Sequence, residues 1–244
     1  MLQVHTQFAK TLEAVDQAEI KKQFLDHEEF IVIENFLTDP IIDLMLEDLE
    51  RLRPSIHRNF IPNHKKGGSV SRFEIDRFGK VIPYAYRDPT LFAFLNGLAG
   101  GDLQECPRGD PHTYALYCYT EPGDHIGYHY DNSYYKGRRY TLLLGLINES
   151  SSMLECELYR DSPHRTVQKL SIALSPGTLV FFNGDRLYHR VTPLGKDEER
   201  IALTMEFVTD IRMNWFLRFV SNMKDSIAYF GFKTVFLKGD GPSR

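Results

Sequence analysis

A succession of short apolar segments between residues 112 and 208 constrains the fold more than any other feature of the chain. Segments such as YTLLLGLIN, GTLVFFNG and RIALTMEFVT are rich in aliphatic, β-branched and aromatic residues, which is typical of β-strands. Turn sequences such as Glu-Pro-Gly-Asp and Ser-Pro-Gly separate them. About seven short strands in succession predict a β-sandwich or barrel, because each sheet must bury its apolar face against another layer.

The residues that precede this region have mainly helical spacing. Apolar residues recur every three or four positions over residues 7–25, which predicts one amphipathic helix. The segment FIVIENFL predicts a strand over residues 30–37. Thr38-Asp39-Pro40 then predicts the start of a helix, with a hydroxyl cap and a proline in the first turn, that ends before Pro54.

Two further segments complete the secondary-structure prediction. Residues 61–72, IPNHKKGGSVSR, are polar and glycine-rich, which predicts a mobile loop. Residues 88–99 have helical spacing and end at a Gly-Gly pair. Helical spacing returns after Asp210, from Trp215 to Phe230, where the helix would pack on the core or form the interface of a homodimer.

We expect a single domain over residues 1–244, because no linker or repeat interrupts the chain. A helical preface with a substrate loop would occupy residues 1–111, the strand-rich core residues 112–209, and a helix with a tail residues 210–244. Either residues 61–72 or residues 210–232 could act as a lid over an active site.

Composition narrows the class of protein. The formal net charge of −4 does not favour nucleic acid or an anionic membrane as a partner. Three cysteines without a C-x-x-C spacing favour a reducing cytoplasm over a disulfide framework. The N-terminus lacks the apolar stretch of a signal peptide, and no run of about 18 apolar residues predicts a membrane span. We therefore expect a cytoplasmic protein.

The segment GYHYDN places His129 and Asp131 at positions i and i+2, which point to one face of a strand. A second histidine, His189, follows a tight Asn-Gly-Asp turn in FFNGDRLYHRVTPL. Two histidines and one carboxylate form the facial triad that suits Fe(II) oxygenases, with positions left for a co-substrate and dioxygen. The alternative is a chance surface pair combined with an unrelated core histidine.

Arg200 opens the strand RIALTMEF, which follows the segment that contains His189. A buried guanidinium can hold a carboxylate through two parallel hydrogen bonds. 2-Oxoglutarate requires such a cation for its far carboxylate while its keto acid end chelates iron. The alternative is a surface ion pair of Arg200 with Glu198 or Glu199.

In this order, YTEPGDHIGYHYDN, RRYTLLLGLIN, PGTLVFFNGDRLYHRVTPL and ERIALTMEF resemble the Fe(II)/2-oxoglutarate dioxygenases, and most closely the prolyl 4-hydroxylase branch. The resemblance implies a mainly β fold with supporting helices, built on a double-stranded β-helix, the jelly-roll core of cupins. It implies Fe(II), 2-oxoglutarate and O2 as cofactor and co-substrates. The residues that it implies for iron are His129, Asp131 and His189, and for 2-oxoglutarate Arg200 and Tyr119.

The chain also resembles a narrower group, the radical halogenases that chlorinate free lysine and their hydroxylase relatives. The segments that carry this resemblance are IPNHKKGGSVS and TEPGDHIGYHYDNSYYKGRRYT. The halogenases have a small residue where Asp131 stands, which opens a coordination position for chloride. The retained carboxylate therefore implies a hydroxylase of a small substrate, such as a free amino acid. Asn132 stands where these relatives have an acidic residue for a substrate ammonium.

Candidate substrate contacts are Arg72, Asn132, Tyr134 and Trp215. Arg72 could clamp a substrate carboxylate or form a surface salt bridge. Two rival functions remain open: a hydroxylase of peptide side chains, as in prolyl hydroxylases, and a jelly-roll binding protein without catalysis.

Overall fold

The computed structural model describes residues 2–132 and 134–213. The predicted helix from Trp215 to Phe230, the candidate dimer interface that it would form and all but the first residues of the candidate lid at 210–232 lie outside these ranges. Residues 210–213, which are described, form neither helix nor strand.

The prediction of one continuous helix over residues 7–25 is wrong, because two helices occupy this part of the chain. They are α1, Leu2–Ala14, and α2, Gln17–Asp26. Asp16 separates them, and its carboxylate accepts hydrogen bonds from the backbone N–H groups of Ala18 and Glu19. An aspartate that caps a new helix competes with continuation of the preceding one, which the apolar spacing alone did not reveal.

The next elements follow the prediction more closely. Strand β1, Phe30–Ile33, is shorter than predicted, and Asn35 just beyond it has a positive φ of 52°. Helix α3, Asp39–Leu52, is confirmed, with a proline in its first turn. The predicted hydroxyl cap is wrong, because Thr38 stands at the N-cap position but its side chain makes no capping hydrogen bond.

Three helices follow, α4, Arg72–Phe78, α5, Val81–Tyr86, and α6, Pro89–Ala99. The last of them confirms the helix expected over residues 88–99 and ends at Gly100, whose φ is 99°. No helix in the described part of the chain is long and apolar enough to cross a bilayer.

The prediction of a mobile loop at residues 61–72 is wrong. Strands β2, His57–Ile61, and β3, Lys65–Val70, form an antiparallel hairpin there, and β3 lies between two further strands of the sheet. Position 68 of this strand needs glycine, because a β-carbon at Gly68 would lie 2.5 Å from a methyl group of Ile56 and 3.2 Å from the Cys118 carbonyl oxygen. A glycine that permits close strand packing has the same sequence signal as a glycine in a loop.

The remaining strands are β4, Gln104–Glu105; β5, Tyr114–Tyr119; β6, His125–His129; β7, Arg139–Glu149; β8, Leu154–Leu158; β9, Gln168–Ile172; β10, Leu179–Asn183; β11, Tyr188–Val191; and β12, Glu199–Val208. The described strands form one antiparallel sheet, in which ten strands have the order β1-β10-β7-β12-β5-β3-β6-β11-β8-β9, while β2 pairs with β3 and β4 pairs with β12. The sheet curls on itself, and this confirms the predicted jelly-roll core with supporting helices. Strands from before residue 112 also belong to it.

Side chains alternate between two apolar clusters along the central strands. In β10, Phe181 packs into the cluster shared with the helices, and Phe182 packs into the interior of the curled sheet. In β12, Leu203 and Met205 face the helices, and Ala202 faces the interior. The period of two therefore gives every second residue of these strands access to the interior.

Asp124 fixes the turn that leads from β5 into β6. Its buried carboxylate accepts two hydrogen bonds from Arg58, at 2.7 and 2.9 Å, and two from the backbone N–H groups of Thr120 and Glu121, at 2.9 and 3.0 Å. Burial raises the pKa of this carboxyl, but Arg58 and the two N–H groups lower it by more, so it lies below its usual value of 3.8.

We predict that Asp124→Asn lowers the free energy of unfolding by about 2 kcal/mol at pH 7, because it breaks charge-assisted hydrogen bonds. A folded pKa below the unfolded value stabilises the protein at neutral pH, and this contribution is lost as the pH falls through the folded pKa. Urea unfolding should therefore show the two proteins converging below about pH 4. The exposed Asp197→Asn is the control and should match wild type. Equal stability of Asp124→Asn and wild type at pH 7 would contradict the assignment.

Candidate active site

The pairing of β6 with β11 brings the two predicted histidines together. His129 and His189 are directly opposite each other in this antiparallel pair, and their ring centroids are 4.3 Å apart. Asp131 completes the group: its oxygens lie 3.4 Å from Nε2 of His129 and 3.8 Å from Nε2 of His189. One ligand atom from each residue lies within 4.8 Å of the others, so the three side chains can hold one metal ion.

Asp131 lies beyond the end of β6, so the strand alone does not place it. Its backbone N–H donates to the carbonyl oxygen of Gly184, at 3.0 Å, in the turn between β10 and β11. A β-carbon at Gly184 would lie 2.8 Å from that of Asp131. The Asn-Gly-Asp turn that precedes His189 therefore also positions Asp131, and it needs glycine for this close approach.

Backbone carbonyls fix the orientation of both imidazole rings. Nδ1 of His129 lies 2.8 Å from the Gly127 oxygen, and Nδ1 of His189 lies 3.0 Å from the Leu187 oxygen. Because a carbonyl oxygen can only accept, Nδ1 carries the hydrogen in both rings, and in a neutral ring Nε2 then offers its lone pair to a metal.

The charge states also suit a divalent metal. Burial and the neighbouring His129 lower the pKa of His189 to about 4, so this ring is neutral near pH 7. Burial raises the pKa of the Asp131 carboxyl, but His189 and His129 lower it by more, so it lies well below its usual range. Neutral imidazole nitrogens and an ionised carboxylate are the ligand forms that bind Fe(II).

The three residues line a cavity inside the curled sheet. Its remaining walls combine apolar and polar side chains from six strands: Tyr117, Tyr119, Ile126, Thr141, Leu143, Leu154, Val191, Thr204 and Glu206. Tyr119, expected to line the co-substrate site, is buried, and burial raises the pKa of its hydroxyl.

Arg200 is buried near this cavity and is not a surface residue. It is 1% exposed, lies opposite Tyr119 in the sheet register, and holds its guanidinium carbon 5.7 Å from the Tyr119 ring centroid. Glu199 pairs instead with Arg53, at 2.8 Å, and Glu198 accepts hydrogen bonds from Ser151 and Gly195. The alternative of a surface ion pair with either glutamate is therefore wrong.

Among the described residues, no acidic side chain forms an ion pair with the Arg200 guanidinium. Its Nη1 lies 3.4 Å from the Ser152 hydroxyl, and its buried Nε has no hydrogen-bond partner among residues 2–132 and 134–213. Burial lowers the pKa of Arg200. A buried cation of this kind is stabilised by an anion, and a carboxylate is the anion that a guanidinium binds best. The residues present thus fit both Fe(II) and a dicarboxylate co-substrate.

A row of polar side chains behind Asp131 was not predicted from the sequence. The Thr141 hydroxyl oxygen lies 2.8 Å from Oδ2 of Asp131 and 3.0 Å from Oε2 of Glu206, which also accepts from Nε of Arg139, at 2.9 Å. Thr141 and Glu206 are opposite each other in the sheet. The available signal was the period of two, which places Glu206 on the same face of β12 as Arg200.

The other predicted substrate contacts lie outside the cavity wall as far as it is described. Arg72 is buried at the start of α4, and its Nε lies 3.1 Å from the carboxylate of the exposed Asp76, so its guanidinium forms an ion pair at the surface. Asn132 is exposed beside Asp131, and Tyr134 is half-buried. Trp215 lies outside the described residues. A substrate role for these four residues stays a prediction.

Comparisons with known structures agree with this fold. A prolyl hydroxylase from Trichoplax adhaerens, in complex with a hypoxia inducible factor peptide fragment, is 19% identical, with a TM-score of 0.64 over 80% of this chain and 89% of that chain. A Pseudomonas putida prolyl-4-hydroxylase is 17% identical, with a TM-score of 0.57 over 82% and 100%. The α-ketoglutarate-dependent carbocyclase SnoK from nogalamycin biosynthesis is 12% identical, with a TM-score of 0.66 over 94% and 92%.

Family models match the sequence directly. The model of the 2OG-Fe(II) oxygenase superfamily matches residues 114–207, which carry the triad and Arg200. Fold and triad therefore define a 2-oxoglutarate-dependent dioxygenase that uses Fe(II), 2-oxoglutarate and O2. A model described as Halogenase D matches residues 12–137, just over half of the chain, and the protein belongs to this family. No curated protein matches the sequence.

We predict that Thr141→Val weakens binding of Fe(II) by about tenfold, because the hydroxyl next to Oδ2 holds the Asp131 carboxylate in place. Valine keeps the branched shape of the side chain. Thr204→Val is the matched control: Thr204 lines the same cavity, but its hydroxyl donates to the Ala115 carbonyl oxygen and contacts none of the triad residues. Anaerobic calorimetry would measure both affinities, and equal losses in the two variants would contradict the role of Thr141.

Arg200→Gln should raise the KM for 2-oxoglutarate at least about tenfold, because a neutral amide replaces one charge-assisted contact. Affinity for Fe(II) should stay near wild type. Arg53→Gln is the control, since Arg53 pairs with the adjacent Glu199 outside the cavity. Succinate release at varied 2-oxoglutarate would give the KM values. An unchanged KM in Arg200→Gln would exclude Arg200 from the co-substrate site.

Proposed function

We propose that the protein hydroxylates an unactivated C–H bond of a small substrate, a free amino acid such as lysine. The observation that carries this proposal is the combination of a complete His129, Asp131 and His189 group with the buried, uncompensated Arg200. The retention of all three metal-binding candidates together with Arg200 counts against a jelly-roll binding protein without catalysis.

The chain's own side chains would each have one task. His129, Asp131 and His189 would hold Fe(II), with their rings oriented by Gly127 and Leu187. Arg200 would bind the C5 carboxylate of 2-oxoglutarate. When iron, 2-oxoglutarate and O2 are bound, decarboxylation of 2-oxoglutarate to succinate and CO2 supplies the oxidant for the C–H bond.

The cavity walls would keep the reaction apart from bulk water. Ile126, Leu143, Leu154 and Val191 are apolar and surround the space between the triad and the sheet interior. An apolar wall leaves few hydrogen-bonding positions for water and orients the co-substrate by shape. Tyr119 would line the co-substrate site beside Arg200.

Asp131 supports hydroxylation over chlorination, although the chain belongs to the Halogenase D family. The Gly184 carbonyl oxygen accepts from the backbone N–H of Asp131, and the Thr141 hydroxyl donates to the Asp131 carboxylate. A coordination position taken by this carboxylate is closed to chloride, so hydroxyl is the only group that can return to the substrate carbon.

The location and assembly belong to the same proposal. Cys106, Cys118 and Cys156 are free and buried, which agrees with a reducing cytoplasm. A homodimer stays a prediction, because its expected interface lies outside the described residues.

The test is incubation of the protein with Fe(II), 2-oxoglutarate, O2 and a mixture of free amino acids, followed by mass spectrometry. A product heavier by one oxygen atom, formed together with succinate, would support the proposal, and His189→Ala should form neither. A second mixture of proline-containing peptides tests the alternative of peptide hydroxylation. Products from the peptides alone would replace the free amino acid as substrate.

We further predict the outcome of removing the carboxylate. Wild-type protein should give only hydroxylated product in high chloride, and Asp131→Gly should lose most hydroxylation because the weakened site binds Fe(II) poorly. Chlorinated product from Asp131→Gly would agree with a vacated coordination position. Chlorination by wild type, or full hydroxylation by Asp131→Gly with unchanged affinity for Fe(II), would contradict the role of Asp131. Product masses and iron calorimetry decide between these outcomes.

A further inference from the structure

Glu206 is a buried acid in the cavity wall to which neither iron nor 2-oxoglutarate binding assigns a task. It is 5% exposed, and it lines the same cavity as the triad. Its place in β12 makes it inward-facing, on the same side of the strand as Arg200. Its backbone is fully engaged, since its N–H donates to Thr113 and its carbonyl accepts from the Tyr86 hydroxyl. The side chain is thus held in position on a rigid element.

The two carboxylate oxygens of Glu206 differ in their contacts. Oε2 accepts from Nε of Arg139 and lies 3.0 Å from the Thr141 hydroxyl. Within the part of the chain that the structure describes, no group donates to Oε1. Glu206 lines the cavity, and its Oε1 is not fully enclosed by the described residues. One acceptor atom of a buried carboxylate is therefore left for a ligand at the cavity wall.

The charges around the cavity indicate what would fill this position. Asp131 faces the metal site, and the charge of Arg200 is matched by the co-substrate carboxylate. Arg139 contacts Oε2 of Glu206 and leaves Oε1 without an ionic partner among the described residues, and burial raises the pKa of this carboxyl above its usual value. A cationic hydrogen-bond donor at Oε1 would stabilise the charged form of the buried carboxylate.

We infer that Glu206 is a specificity-determining residue that accepts a hydrogen bond from an ammonium group of the substrate. The Thr141 hydroxyl oxygen lies between the two carboxylates, 3.0 Å from Glu206 and 2.8 Å from Asp131, so a bound ammonium would lie beside the metal site. The substrate class is therefore an amine, and the oxidised carbon belongs to an amine-bearing chain. This inference rests on the proposed function, because it places the ammonium in the cavity of the iron site.

The experiment compares three probes on protein loaded with Fe(II) and 2-oxoglutarate in the absence of O2. L-Lysine carries two ammonium groups, L-norleucine lacks the one on the side chain, and 6-aminohexanoate lacks the one on the α-carbon. Calorimetry gives the Kd of each probe for wild type, for Glu206→Gln and for Glu157→Gln. Glu157 is the matched control, because it is a buried glutamate paired with an arginine, Arg160, and lies outside the cavity.

For wild type, at least one of the two analogues should bind about tenfold or more weakly than lysine, the scale of one lost charge-assisted contact. In Glu206→Gln this ratio should fall to about threefold or less, and in Glu157→Gln it should stay as in wild type. The inference is overturned if neither analogue binds more weakly than lysine to wild type, or if the ratio persists in Glu206→Gln. The Kd values of the three probes for wild type test the inference without any variant, so the test holds even if Glu206→Gln does not fold.

Failure of the proposed function gives a different result. The loading titrations measure binding of Fe(II) and 2-oxoglutarate before any probe is added. Wild-type protein that binds neither would overturn the iron site and this inference together. Wild-type protein that binds both, but shows no preference for either ammonium group, would overturn the role of Glu206 alone.

Discussion

The antiparallel pairing of β6 with β11 is the contact on which the site depends, because it places His129 opposite His189. Backbone hydrogen bonds fix this register, and a shift by one residue would turn one ring to the other face of the sheet. The turn before β11 adds the third member, since Gly184 accepts the N–H of Asp131. One short stretch between β10 and β11 thus sets the positions of both the carboxylate and the second histidine.

The two faces of strand β12 differ: one packs against the helices, and the other presents polar side chains to the interior of the curled sheet. Alternate residues on one face, Leu203, Met205 and Phe207, pack against the helices. Those on the other face include Arg200 and Glu206, which lie at opposite ends of the inward face. A rigid strand in the middle of a sheet holds such side chains more closely than a loop would, which suits groups that must meet a ligand at fixed distances.

The interior contains more charge than a core normally tolerates. Arg200 has no acidic partner within the described ranges, and Arg139 contacts only one of the two carboxylate oxygens of Glu206. Burying a charge costs several kcal/mol unless an opposite charge offsets it. Ligands that carry the opposite charges would remove this cost on binding. The buried charged residues of the interior are therefore the positions at which we expect ligands to bind.

The sequence by itself predicted a β-sandwich or barrel, the three metal-binding candidates and Arg200 as a carboxylate-binding candidate, and the family resemblance implied the jelly roll. The first three predictions follow from local signals: the period of a strand, the i and i+2 spacing of His129 and Asp131, and turn residues between strands. Residues 61–72 were misjudged because a glycine that lets strands pack closely cannot be distinguished from a loop glycine without its neighbours. Only the tertiary structure decided that Thr141 and Arg139 meet Glu206, since sheet pairing joins residues that are far apart in the chain.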